Sequence, residues 1–196
     1  MKSIISVVTG TAFVLTALVA NAGGVVKQTV DAVGQGAAGA LVAQQGATIL
    51  RTANGITARL SVPTPAGGTY VYPPDNMFQQ EVIAGAPEVF TGWILIFNDP
   101  GACEGPCDGE DLSNSAARGG AYNFAGHAVG GSMLNLAGHV SVGSETFVGY
   151  PLDDPENAEV HLAVAPHGQL QPDLLPTQIT TPIGIPTHWW LAIFMP

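Results

Sequence analysis

Phe90-Thr91-Gly92-Trp93-Ile94-Leu95-Ile96-Phe97-Asn98 is the stretch on which the fold turns. In an extended chain Trp93, Leu95 and Phe97 point to one side, and Ile94 and Ile96 to the other. A strand apolar on both sides is buried on both sides, so this one belongs at the centre of a sheet. Around it the chain alternates. Ala158, Val160, Leu162 and Val164 share one parity and Glu159 and His161 the other, which predicts a strand over 157–165 with its polar side turned away from the core, ended by Pro166. Arg59–Val62, stopped by Pro63, and Thr69–Tyr72, stopped by Pro73-Pro74, read as short strands, and Thr187–Met195 as a closing one. Gly (25 residues) and Pro (15) are abundant, while charged residues make up only 10% of the chain, a balance that suits strands joined by turns. The fold class expected is all-β: an antiparallel β-sandwich or flattened barrel of seven or more short strands.

Tyr122–Val142 reads as a hairpin around Gly130-Gly131-Ser132. Tyr122, Phe124 and Ala128 on the first arm share a parity with Leu134, Leu136, Val140 and Val142 on the second. Placing both sets on one face requires an odd-numbered loop, which sets Asn135 opposite His127 and Asn123 opposite His139.

Upstream, Lys2, the apolar run Ile4–Val19 and the small-x-small sequence Ala20-Asn21-Ala22 form a signal-peptide pattern over residues 1–22. The run is short for a membrane anchor, so no integral membrane segment is expected after cleavage. Residues 23–54, rich in Gly and Ala, are expected to be a flexible or weakly helical leader, with the β domain over 55–196. A secreted or periplasmic location follows, and with it a disulfide between Cys103 and Cys107; a two-thiolate metal site is the alternative. The formal net charge of −10 repels phosphate backbones and anionic lipids, so nucleic acid is not an expected partner; cations and neutral ligands remain open.

Four runs together resemble a family of exported bacterial β-domain proteins with no agreed activity: Trp93–Cys103, Cys107-Asp-Gly-Glu-Asp-Leu112, Gly126-His127-Ala-Val-Gly-Gly131 and Ala158–Gly168. The resemblance covers residues 55–196 and implies secretion, a β domain and a paired Cys loop. A weaker likeness is to chordin-type β domains, which also place His near Glu on a strand.

Two clusters carry candidate chemistry. His127, His139, Glu159, His161 and His167 supply the imidazole and carboxylate groups that suit Zn or Cu. In the hairpin register His127 and His139 stand four positions apart, ~13 Å, too far to share an ion, so a site needs one of them with His161 or His167. Asp99, Asp108, Glu110 and Asp111 around the Cys pair are hard oxygen ligands of the kind Ca²⁺ takes, though their spacing is not that of a helix-loop-helix calcium loop. The bland alternatives are a solvated polar face and a solvated acidic turn. No Gly-x-Ser-x-Gly, His-Glu-x-x-His or phosphate-loop pattern occurs. The function expected is an exported non-enzymatic binding or surface protein with a His/Asn/Glu-bearing sheet face. The alternatives are an extracellular enzyme using His and Glu in a barrel-like pocket, and a structural envelope or matrix component.

Overall fold

The computed structural model describes residues 24–34, 40–64, 72, 78, 83, 85–182 and 190–196. Among the described residues, nine strands form one antiparallel sheet: β1 Val26–Gly34, β2 Leu41–Thr52, β3 Gly55–Pro63, β4 Glu88–Phe97, β5 Gly119–Val129, β6 Met133–Ser141, β7 Val148–Gly149, β8 Glu159–Gln169 and β9 Trp190–Phe194. Their order across the sheet is β6-β3-β2-β1-β9-β8-β4-β5-β7, and it curls into a half-barrel. Among the described residues, one short helix, α1, spans Leu175–Gln178, and 3₁₀ turns occupy Pro100–Ala102 and Glu110–Ser113.

The concave side holds the core. Ile49 (β2), Ile56, Leu60 and Val62 (β3), Ile94 and Ile96 (β4), Leu134 and Leu136 (β6), Val160, Leu162 and Val164 (β8) and Phe194 (β9) form one buried cluster. As the two-sided apolar pattern requires, β4 lies between β8 and β5 and is buried on both faces. Its second face, carrying Trp93 and Phe97, packs under separate clusters with Ala163 and with Cys107.

Two expectations are corrected. Residues 26–34 and 41–52, expected within a leader, are strands β1 and β2 inside the sheet. Their inward positions are partly small, Ala32 and Ala47, which hides the alternation from a reading based on large apolar residues. The signal-peptide residues 1–22 and most of the Thr69–Tyr72 segment lie outside the described residues.

The hairpin register is also overturned. β5 pairs with β4 and β7, and β6 pairs with β3, so the two arms separate to opposite ends of the sheet order. Asn135 faces Ser61, His139 faces Thr57, His127 faces Phe90 and Asn123 faces Trp93. The arms still cross closely: a Cβ on Gly138 would sit 2.4 Å from the Phe124 carbonyl oxygen, so only glycine permits that approach. A bulge between Gly92 and Trp93 leaves Phe124 without an opposite residue. It changes the parity of β5, so that both Tyr122 and Val129 reach the core. Without a bulge, a single parity would face the core along the whole strand.

Arg51 seals one end of the curl. It occupies an inward position of β2 and is buried, donating to Gln28 Oε1 (2.8 Å) and to the carbonyls of Pro155 (2.8 Å), Ala158 (2.6 Å), Phe194 (3.3 Å) and Met195 (3.3 Å). Burial lowers its pKa from the usual value, and the negative charge of Asp154 opposes that shift. Five bonds from one guanidinium tie β1, the approach to β8 and the C-terminus together.

Candidate ligand pocket

The polar side of β8 was expected to face away from the core, and it does; yet Glu159 and His161 are buried, with exposures of 0% and 3%. The segment 98–118 folds back over that side. Its Cys103–Cys107 disulfide closes a short loop with the two Cα atoms 5.3 Å apart. The Cys107 N–H donates to Glu159 Oε1 (2.9 Å), and His161 Nε2 lies 2.6 Å from the same oxygen. The carboxylate can only accept here, so Nε2 carries the proton. The His161 ring also meets Phe97 edge-on, centroids 5.2 Å apart.

A groove of about 510 Å³ opens between the disulfide loop and strands β4, β8 and β9. Its wall is mainly apolar, with Leu95, Leu112, Ala163, Leu191 and Ile193, and His161 is the imidazole in it. Among the described residues no protein group bonds His161 Nδ1. Glu159 Oε2 is buried and has no hydrogen-bond partner. An unpartnered buried carboxylate oxygen is costly and calls for an explanation.

The other predicted ligands do not gather here. His167 continues along β8, which runs through Pro166 to Gln169, and six residues place it ~20 Å from His161. It belongs to a closed network. The Trp93 Nε1–H donates to Thr91 Oγ1 (3.1 Å), Thr91 Oγ1 lies 3.3 Å from His167 Nε2, and the His167 Nδ1–H donates to the Gln178 carbonyl on α1. Phe78 stacks on the ring at 5.7 Å. Burial pulls the His167 pKa from 6.5 to about 4, against the opposing bond to Gln178, so the ring is neutral at pH 7. His127 is exposed on β5 and faces Phe90, whereas His161 faces Leu95; five residues along β4 make that ~17 Å. His139 is exposed on β6 at the far edge of the sheet, its Nδ1 2.9 Å from Thr57 Oγ1. Of the five transition-metal candidates the fold brings together only Glu159 and His161.

Two of the four acidic candidates, Asp108 and Asp111, satisfy the loop's own backbone with their carboxylates. Asp111 Oδ2 accepts from Asp108 N (3.0 Å), and Asp108 Oδ1 accepts from Glu110 N (2.8 Å). The main chain of Asp99 pairs with Ala117 (3.1 Å). Among the described residues one group of three ligand atoms lies within 4.8 Å, Cys103, Cys107 and Asp111, and both sulfurs are spent in the disulfide.

Sequence reasoning missed Arg51 and the pinning of α1 by Gln178, whose side chain bonds the main chain of His167 (3.3 Å), Gln169 (3.0 Å) and Gln171 (3.0 Å). Arg51 had a signal: it shares the parity of Ala47 and Ile49, an arginine on an apolar face. Among the described residues no helix is long and apolar enough to cross a membrane. No family model matches this chain, and neither does any curated protein or solved structure.

Proposed function

We propose that this is an exported, non-enzymatic binding protein whose ligand is small and largely apolar, with one hydrogen-bond donor. The ligand lies in the groove under the disulfide loop. The observation that carries this reading is the unpaired Nδ1 of His161 in a mainly apolar wall that Asp108 also lines, its ring fixed by Glu159. A few polar groups in an apolar concavity are the usual make-up of a small-molecule site. The ligand's donor meets Nδ1, and its body displaces water from Leu95, Leu191 and Ile193. Export is supported by the leader pattern and by the disulfide, which persists in oxidising compartments. The fold does not favour a transition-metal site, because the histidines are dispersed.

Benzyl alcohol, benzylamine and benzoate carry three head groups on one apolar body and test this directly by saturation-transfer NMR. The alcohol and the amine should bind, and benzoate should not, because Glu159 stands behind His161. Leu191→Trp, which fills the groove, should abolish the signal. Absence of signal from all three, or signal unchanged in Leu191→Trp, overturns the reading and leaves a structural envelope or matrix component.

One observation favours a second reading, an extracellular enzyme: a histidine oriented by a buried carboxylate is the base half of many acid–base sites. That reading requires turnover of a small electrophile, such as 4-nitrophenyl acetate, which disappears in His161→Gln.

A further inference from the structure

Charge is divided unevenly between the two halves of the sheet. The chain has 15 acidic residues against five Lys and Arg. Yet strands β1, β2, β3 and β6 carry a single acid, Asp31, together with Lys27, Arg51 and Arg59. Arg51 is buried in its carbonyl cage, and elsewhere Arg118 pairs with Asp153. Among the described residues Lys27 and Arg59 form no ion pair and no side-chain hydrogen bond.

Both lie on the convex face, where no segment among the described residues covers these four strands. Register places Lys27 opposite Leu50 and Arg59 opposite Thr48, two strands and two residues apart, so their Cα atoms are ~12 Å apart. They line one cavity of about 220 Å³, and Thr48 and Arg59 also wall an adjoining groove of about 320 Å³. The surroundings mix hydroxyl and amide groups with the aliphatic side chain of Leu50: Thr29 bonds Thr48 (3.0 Å), and Ser61 donates to Asn135 (2.7 Å). Asp31 accepts from the Gln45 N–H (2.7 Å), which sits in the left-handed conformation of a β2 bulge.

We propose that this convex face is a second binding site, for a short acidic saccharide. Lys27 and Arg59 flank its carboxylate, and the Thr, Ser and Asn side chains exchange hydrogen bonds with its hydroxyls. Gln45, Thr48, Ser61 and Asn135 in the adjoining groove suit an anionic group carried on a larger hydroxyl-bearing body. Net negative charge does not forbid this. Acidic groups beyond about 10 Å are screened at 0.1 M salt, while the two cations are in contact with the ligand. A guanidinium fork beside hydroxyl and amide groups fits carboxylate recognition.

The test is calorimetric titration of the full exported protein with trigalacturonate, its methyl ester and sodium sulfate. Trigalacturonate should bind, and raising NaCl from 50 to 500 mM should weaken it at least 5-fold. The methyl ester, which keeps the hydroxyls and loses the charge, should bind at least 10-fold more weakly. Arg59→Ala and Lys27→Ala should each cost at least 5-fold, with Arg59→Lys intermediate; these side chains are exposed, so the fold is kept. Leu191→Trp, which blocks the disulfide-loop groove, should leave the affinity unchanged, so the two sites fail or succeed separately. Sulfate binding without trigalacturonate binding overturns the saccharide assignment. Equal affinity for the methyl ester, or no loss in Arg59→Ala, overturns the site.

Discussion

β6 and β8 look alike as sequences and end up in different environments. Each alternates: Leu134-Asn135-Leu136 on one, Val160-His161-Leu162 on the other. In both, the apolar parity lines the concave core. On β6 the polar parity is open to solvent, with Asn135 bonded to Ser61 and His139 to Thr57. On β8 the same parity is enclosed by the disulfide loop, and Glu159 and His161 are buried. Alternation therefore reports which side faces the core. It does not report whether the other side is covered, because the cover comes from a segment more than fifty residues earlier in the chain.

The largest effect that sharpens this contrast is on β6 itself. Leu136→Asp should destabilise by more than about 4 kcal/mol, because it puts an unpaired charge into the core. Asn135→Asp, one residue away on the bare face, should stay within about 0.5 kcal/mol. Urea unfolding measures both. Equal losses would show that the two faces of β6 are not different.

A smaller effect separates buried from exposed histidines through pH. The folded pKa of His167, about 4, lies below the usual 6.5, so the unfolded chain binds the extra proton first. Its contribution is fully present above pH 6.5 and is lost as pH falls toward 4, up to about 3 kcal/mol. Between those two pH values wild type should lose about that much more stability than His167→Gln, read as the difference between denaturation midpoints. Parallel pH curves for the two proteins would contradict the enclosed network around Thr91, Trp93 and Gln178.

Much of the architecture was legible in the sequence. Residues 90–98 declared a central strand, the parity of 158–164 named its core positions, and the Cys pair named the loop that closes the pocket. Three kinds of information were not local. The small inward residues Ala32 and Ala47 concealed β1 and β2. The Phe124 bulge inverted a parity that pattern alone treats as constant. The separation of β5 from β6 depends on the curl of the whole sheet, which decides the partner of each arm. The candidate site was half legible: Glu159 and His161 were named together, but as a surface pair joined by distant histidines. Their enclosure depends on the Cys107 N–H, 52 residues earlier in the chain, reaching Glu159.

The central claim, that His161 is locked to Glu159 beneath the disulfide loop with Nδ1 left for a ligand, is tested most directly by ¹⁵N-resolved imidazole NMR with exchange measurements. The account predicts a His161 Nε2–H signal that exchanges slowly with water, beside an unprotonated Nδ1. Reduction of Cys103–Cys107 should release that protection, and the ring protons of His139 should exchange rapidly throughout. A His161 ring proton exchanging as fast as that of His139 in the oxidised protein, or residing on Nδ1, would contradict it.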